Sequence, residues 1–221
     1  MADPHLAFAT GMRLGHLALL RNLQRFQTLD AAPPRTSAAD LSDFVDLYVS
    51  FLDAHHQAED DFIFPALRRS APGRSSDAAH LGQWAALHRD IYEAGRALTT
   101  AAAGVRRESP GAEREVARAA AALEALLSPH VADEDAALTA EHMREMMTAP
   151  ALEEMQRAIG KRMGPRGLSM AAFLVHSLSP AEQREMLGEQ PWLFRKVLLG
   201  FIGERRMARF RPLVFEPALA L

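Results

Sequence analysis

The segment HHQAED at residues 55–60 sets His55 four residues before Glu59, and PHVADED at residues 129–135 sets His130 four residues before Glu134. Residues four apart stand one above the other on a helix, so each pair can aim a ring nitrogen and a carboxylate oxygen at one point. A buried, unpaired carboxylate costs several kcal/mol, so two of them on apolar stripes require a compensating charge, which a pair of divalent or trivalent cations would supply. The 221 residues include no cysteine, which excludes disulfides, thiolate ligands, iron–sulfur clusters and thiol nucleophiles. Imidazole and carboxylate without sulfur suit iron, manganese or zinc, and two carboxylates able to bridge favour a dinuclear centre.

Helices must position these residues. Apolar residues recur at three- and four-residue steps, which predicts helices over 6–29, 40–69, 78–103 and 111–146, with shorter helices in the tail. Turn chemistry separates them at DAAPPRTSAAD, SAPGRSSD and AAGVRRESPG. Ser37 or Asp40 is expected to cap the second helix and Asp77 the third. Pro129 removes an amide donor inside the fourth, so a kink is expected there, or a restart with Ser128 as cap. The inward stripes run Met12, His16, Leu23 and Phe26; Tyr48, Leu52, His55, Glu59, Phe62 and Ala66; Trp84, His88, Ile91 and Leu98; and Leu123, Leu127, His130, Glu134 and Leu138. Each helix therefore carries one histidine on its buried face. The fold class expected is all-α, an antiparallel up-down four-helix bundle with a C-terminal helical extension, divided at residues 1–146 and 147–221.

Residues 1–150 hold 14 Lys/Arg against 21 Asp/Glu, and residues 151–221 hold 11 against 7. The basic tail is expected to dock on the acidic body. Its stretch PWLFRKVLLGFIGERRMARF, with Trp192 and Leu193, has the composition of a membrane-adsorbing helix, but docking is the preferred reading. Nothing resembles a nucleic-acid-binding motif, a secretory signal or a membrane span, so a cytoplasmic protein is expected.

Together, His16, the run HHQAEDDFIFP, His88 in ALHRDI, and HVADEDAAL resemble the hemerythrin-like, or HHE cation-binding, family over about residues 5–140. The tail segment 187–210 resembles an extension found in many bacterial members. The resemblance implies a hemerythrin-like bundle holding two Fe ions with an oxo, hydroxo or water bridge. His16 and His55 would bind one iron, His88 and His130 the other, and Glu59 and Glu134 would bridge. It also implies a small ligand, O2, peroxide or NO, in sensing, scavenging or redox protection. Two departures stand out. Trp84 occupies a position where the oxygen carriers have a further histidine, and the carrier spacing would select Asp135 in place of Glu134. Tyr92, Tyr48 and Trp84 are candidates for groups near the metals, whereas His56 and Asp60 read as supporting or surface residues. His5, His80, His142 and His176 fall outside the ligand set. Two other functions stay open, a di-iron oxidase, peroxidase or oxygenase acting on a small organic molecule, and an iron-responsive interaction module.

Overall fold

Capping groups set where the long helices begin in the computed structural model, which describes residues 3–31, 36–70, 75–188 and 194–213. Helix α1 (Pro4–Gln27) starts behind Asp3, whose carboxylate accepts the N–H groups of His5 and Leu6, with Pro4 in the first turn where a missing N–H is harmless. Helix α2 (Ala38–Ala58) starts behind Ser37, whose hydroxyl accepts the Asp40 N–H. Of the two expected caps, Ser37 is the one used. It passes through a single π-helical turn, Glu59–Ile63, into α3 (Phe64–Ser70). Helix α4 (Ser75–Arg106) begins two residues ahead of Asp77, the residue expected to precede it as a cap. Helix α5 (Ala112–Ala137) follows Gly111, whose φ of +74° a side chain would disfavour. No strand occurs among the described residues.

Two sequence expectations need correcting. The fourth helix does not restart at Pro129, because α5 runs through it. Pro129 and Ala125 are both exposed, so the carbonyl that loses its partner faces water. The break comes at Leu138, after which Thr139 caps α6 (Ala140–Met146) by accepting the His142 N–H. Nor is 40–69 one regular helix. The Phe64 N–H reaches back five residues to the Glu59 carbonyl, and Pro65, next in line, has no N–H to give Asp61. This extra residue rotates the buried stripe, so that Ile63, Phe64 and Leu67 are buried whereas Phe62 and Ala66 are half-buried.

Four long helices surround the core in the order α1, α5, α4, α2, each antiparallel to its neighbours. His16 meets Asp135 while Gln27 meets Glu124, so α1 and α5 run oppositely. Likewise His88 meets His130 while Gly104 meets Ala112, and Tyr92 meets Asp53 while Gly95 meets Val49. Between α1 and α2, His16 faces His55 and Phe26 faces Tyr48. The backbones of α1 and α2 come close at few points, and α7 (Ala149–Met163) and α8 (Arg166–Ser177) lie against this seam. From α8, Phe173 enters the core 5.1 Å from Phe51 and 5.8 Å from Phe44, ring centre to ring centre.

Behind them come α9 (Pro180–Leu187), a wide helical segment Phe194–Gly203, α10 (Glu204–Met207) and a 3-10 turn that brings Phe210 onto Phe44. Trp192 and Leu193 lie outside the described residues. Arg209 pairs with Asp43 of α2 at 2.6 Å, in the expected sense of a basic tail on an acidic body. Other ties run the opposite way, Arg13 to Glu185 and Arg21 to Glu182. No helix among the described residues is long and apolar enough to cross a membrane.

The Arg21–Glu182 pair, two parallel bonds of 2.8 and 3.0 Å, joins α1 to α9 across 161 positions. Arg21 holds the Glu182 carboxyl down at about 2. Its folded-state pKa lies below the usual 4.5, so its stabilisation is complete above about pH 4.5 and fades as pH falls through 2. Glu182→Gln is expected to cost about 1.5–3 kcal/mol at pH 7. Chemical unfolding of both proteins at pH 7 and pH 3 checks this, with the difference shrinking at the lower pH.

Candidate metal centre

Half-way along the bundle, seven imidazole and carboxylate groups crowd one point where apolar side chains would be expected. His16, His55, Glu59 and Glu134 bring one donor atom each within 4.8 Å of one another, and so do His56, Glu59, His88 and His130. Each carboxylate faces both groups. Glu59 turns Oε1 to His55 Nε2 at 3.2 Å and Oε2 to His88 Nε2 at 3.6 Å. Glu134 turns Oε2 to His16 Nε2 and Oε1 to His130 Nε2, both at 3.5 Å.

The nitrogens converge as well, His16 Nε2 on His55 Nε2 at 2.9 Å and His88 Nε2 on His130 Nε2 at 3.0 Å. Two nitrogens roughly 2.1 Å from a common ion, at right angles, stand about 3 Å apart. All four oxygens of Glu59 and Glu134 are buried without a hydrogen-bond partner, as are both ring nitrogens of His56. Buried polar atoms in native structures are normally satisfied, so this cluster of orphaned donors fits cations.

Supporting residues fix the rings. Asp135 Oδ1 accepts from His16 Nδ1 at 2.8 Å, and Asp60 Oδ1 accepts from His88 Nδ1 at 3.0 Å, which leaves each Nε2 aimed at the centre. Each aspartate follows its buried glutamate directly, so one motif supplies a central carboxylate and orients a histidine of the neighbouring helix. Phe51 lies parallel to His55, and Phe64 is nearly parallel to His88.

Proton distribution follows from this packing. Burial pushes the His16 imidazole down, but the Asp135 and Glu59 carboxylates beside it outweigh burial and carry it up to about 10. Burial also raises Glu59, yet the surrounding imidazoles, His55 foremost, bring it below the usual carboxylate range. Burial and the Glu59 charge push Glu134 up to about 9. Burial lowers His55 and His130 to about 4.

All six residues expected from the sequence, His16, His55, Glu59, His88, His130 and Glu134, come together here. Asp135, the alternative to Glu134, instead holds His16 from the half-exposed rim. His56 differs most from expectation, being fully buried with its ring 4.1 Å from that of His88. A helix with two neighbours sends consecutive inward residues one to each, so His55 faces α1 and His56 faces α4. The doublet HH carries this signal, because the inward face of a helix is a stripe about 100° wide and not a single point. Trp84 contacts Phe64 and His80, while Tyr48 packs among Phe26 and Phe173. Tyr92 packs edge-on to His56 and donates its hydroxyl to the Asp53 carbonyl. His5 donates from Nε2 to the carbonyl of Met147, the residue just past α6, and neither it nor His80, His142 or His176 belongs to either group.

A family model described as the hemerythrin HHE cation binding domain matches residues 9–142. The chain belongs to this family. Comparison with curated proteins and with solved structures finds no match. The HHE match spans both donor groups and ends within α6, so α7 onward lies outside it.

Two outcomes test the arrangement. Asp60→Asn and Asp135→Asn should each lower metal affinity about 10–100-fold with helicity unchanged, read by chelator competition and circular dichroism. His16 and Glu134 hold protons at pH 7 in the metal-free chain, so loading should release one from each, and affinity should rise with pH up to about 10. Calorimetry in buffers of different ionisation heat measures the protons released.

Proposed function

We propose that this HHE domain holds two iron ions and uses them to react with oxygen, peroxide or nitric oxide, in sensing, scavenging or redox protection. The observation that carries the reading is the pair of buried glutamates, each turning one oxygen to each imidazole group. His16 and His55 would hold one ion and His56, His88 and His130 the other, with Glu59 and Glu134 lying between the two groups. His56 thereby supplies the imidazole that Trp84 does not. Iron bound here supplies redox and Lewis-acid chemistry towards small ligands.

The chain's own residues do the remaining work. Asp60 and Asp135 hold ring orientation from the rim, while Phe51 and Phe64 keep water from the imidazole faces. Glu134 and His16 hold protons until cations displace them. The position served by two imidazoles has fewer protein donors than the position served by three, so an external ligand is expected on the His16/His55 side.

Elemental analysis of protein produced with iron and purified without chelator is expected to give about two irons per chain. Its reduced form should change its optical spectrum on exposure to oxygen, peroxide or nitric oxide. Glu59→Ala should lose most of the metal, because that carboxylate belongs to both groups. A spectrum indifferent to all three ligands in fully loaded protein would sink the proposal.

A further inference from the structure

Where α7 crosses the seam between α1 and α2, it does not fill it. A cavity of about 280 Å³ remains, bounded by Gly11 and Met12 of α1, Ala54 and His55 of α2, and Ile159 and Met163 of α7. Three observations bear on its use. His55 is the one donor residue in the lining and its one ionisable side chain. Its side chain is 11% exposed, whereas those of His16, His88 and His130 are at most 2% and those of both glutamates 0%. The cavity therefore meets the donor cluster at His55, on the side with two imidazoles. A Cβ built on Gly11 meets nothing within 4 Å, so the glycine leaves open a space that larger residues would occupy.

Size and lining set the ligand class. An apolar cavity of about 150 Å³ accepts benzene, and this one is nearly twice that, far more than a diatomic gas needs. Apart from His55, the side-chain amide of exposed Gln156 is the polar group in the lining. A charged molecule entering here would lose its hydration without a countercharge.

From this we infer that the cavity is a binding site for an uncharged, largely apolar organic molecule, the size of an aromatic ring with a short substituent, held against His55. It deepens the dinuclear reading of the centre and rests on it for any chemistry performed there. Helix α7, beyond the HHE match, is then the wall that sets what enters.

Toluene is the probe, titrated into the zinc-loaded full-length chain and followed by methyl NMR, with metal per chain measured on the same samples. Saturable shifts are expected at the Ala54, Ile159 and Met163 methyls. Gly11→Leu and Ile159→Trp, filling the space from opposite walls, should each weaken toluene at least tenfold, and benzoate should bind at least tenfold more weakly than toluene. Absence of saturable shifts in the parent chain, equal affinity in both variants, or benzoate binding as well as toluene would overturn the inference. The same titration on metal-free protein separates the two readings: toluene binding with no metal uptake would defeat the dinuclear proposal and leave the apolar site standing.

Discussion

Two carboxylates facing one another in the middle of a four-helix core constrain everything else in this molecule. Glu59 and Glu134 are both fully buried, and neither has a hydrogen-bond partner. Without cations, His16 and Glu134 are both raised towards their protonated forms, so the apo centre is a set of donors waiting on displaceable protons. Stability and metal affinity are therefore linked through the same few groups. The aspartates just beyond each glutamate belong to this constraint, since a ring free to turn would not present Nε2 to the centre.

The centre is built from two similar halves. His16 precedes His55, Glu59 and Asp60, and His88 precedes His130, Glu134 and Asp135, with each half's aspartate holding the other half's first histidine. Symmetry fails at one position. His56 follows His55, whereas buried Val131 follows His130. That single difference makes one donor group richer in imidazole than the other. The cavity reaches the poorer side, through His55, so the asymmetry in the donors and the asymmetry in access agree.

Much of this was legible in the sequence because the signals were periodic. The histidine in each apolar stripe and the two His/Glu pairs follow from 3.6-residue spacing alone, and the long helices begin near residues that can cap them. What was hidden depends on departures from that period. The π-helical turn at Glu59–Ile63 adds a residue where the pattern gives no warning, so Ile63 and Leu67 are buried in the places assigned to Phe62 and Ala66. Pro129 pointed to a break that did not occur, since a proline on the exposed side of α5 costs less than one facing the core. His56 was hidden for a third reason, because its role depends on which helix stands beside α2.

The relation of the tail to the bundle is likewise a matter of packing and not of charge. Opposite net charge suggested docking, yet the ion pairs run in both directions, with bundle arginines holding tail glutamates as well as the reverse. The stronger tie is apolar. The seam between α1 and α2 would leave Phe44, Tyr48 and Phe51 facing water, and Phe173 of α8 closes it over those rings. Burying aromatic surface is worth far more than exposed ion pairs. Near His55 the same seam is lined by the small residues Gly11, Ala54 and Ala58 beside Met12 of α1 and Ile159 and Met163 of α7, and a cavity remains there. Phe173 closes one end of the seam while the other stays open, so the helices that complete the core also bound the space beside His55.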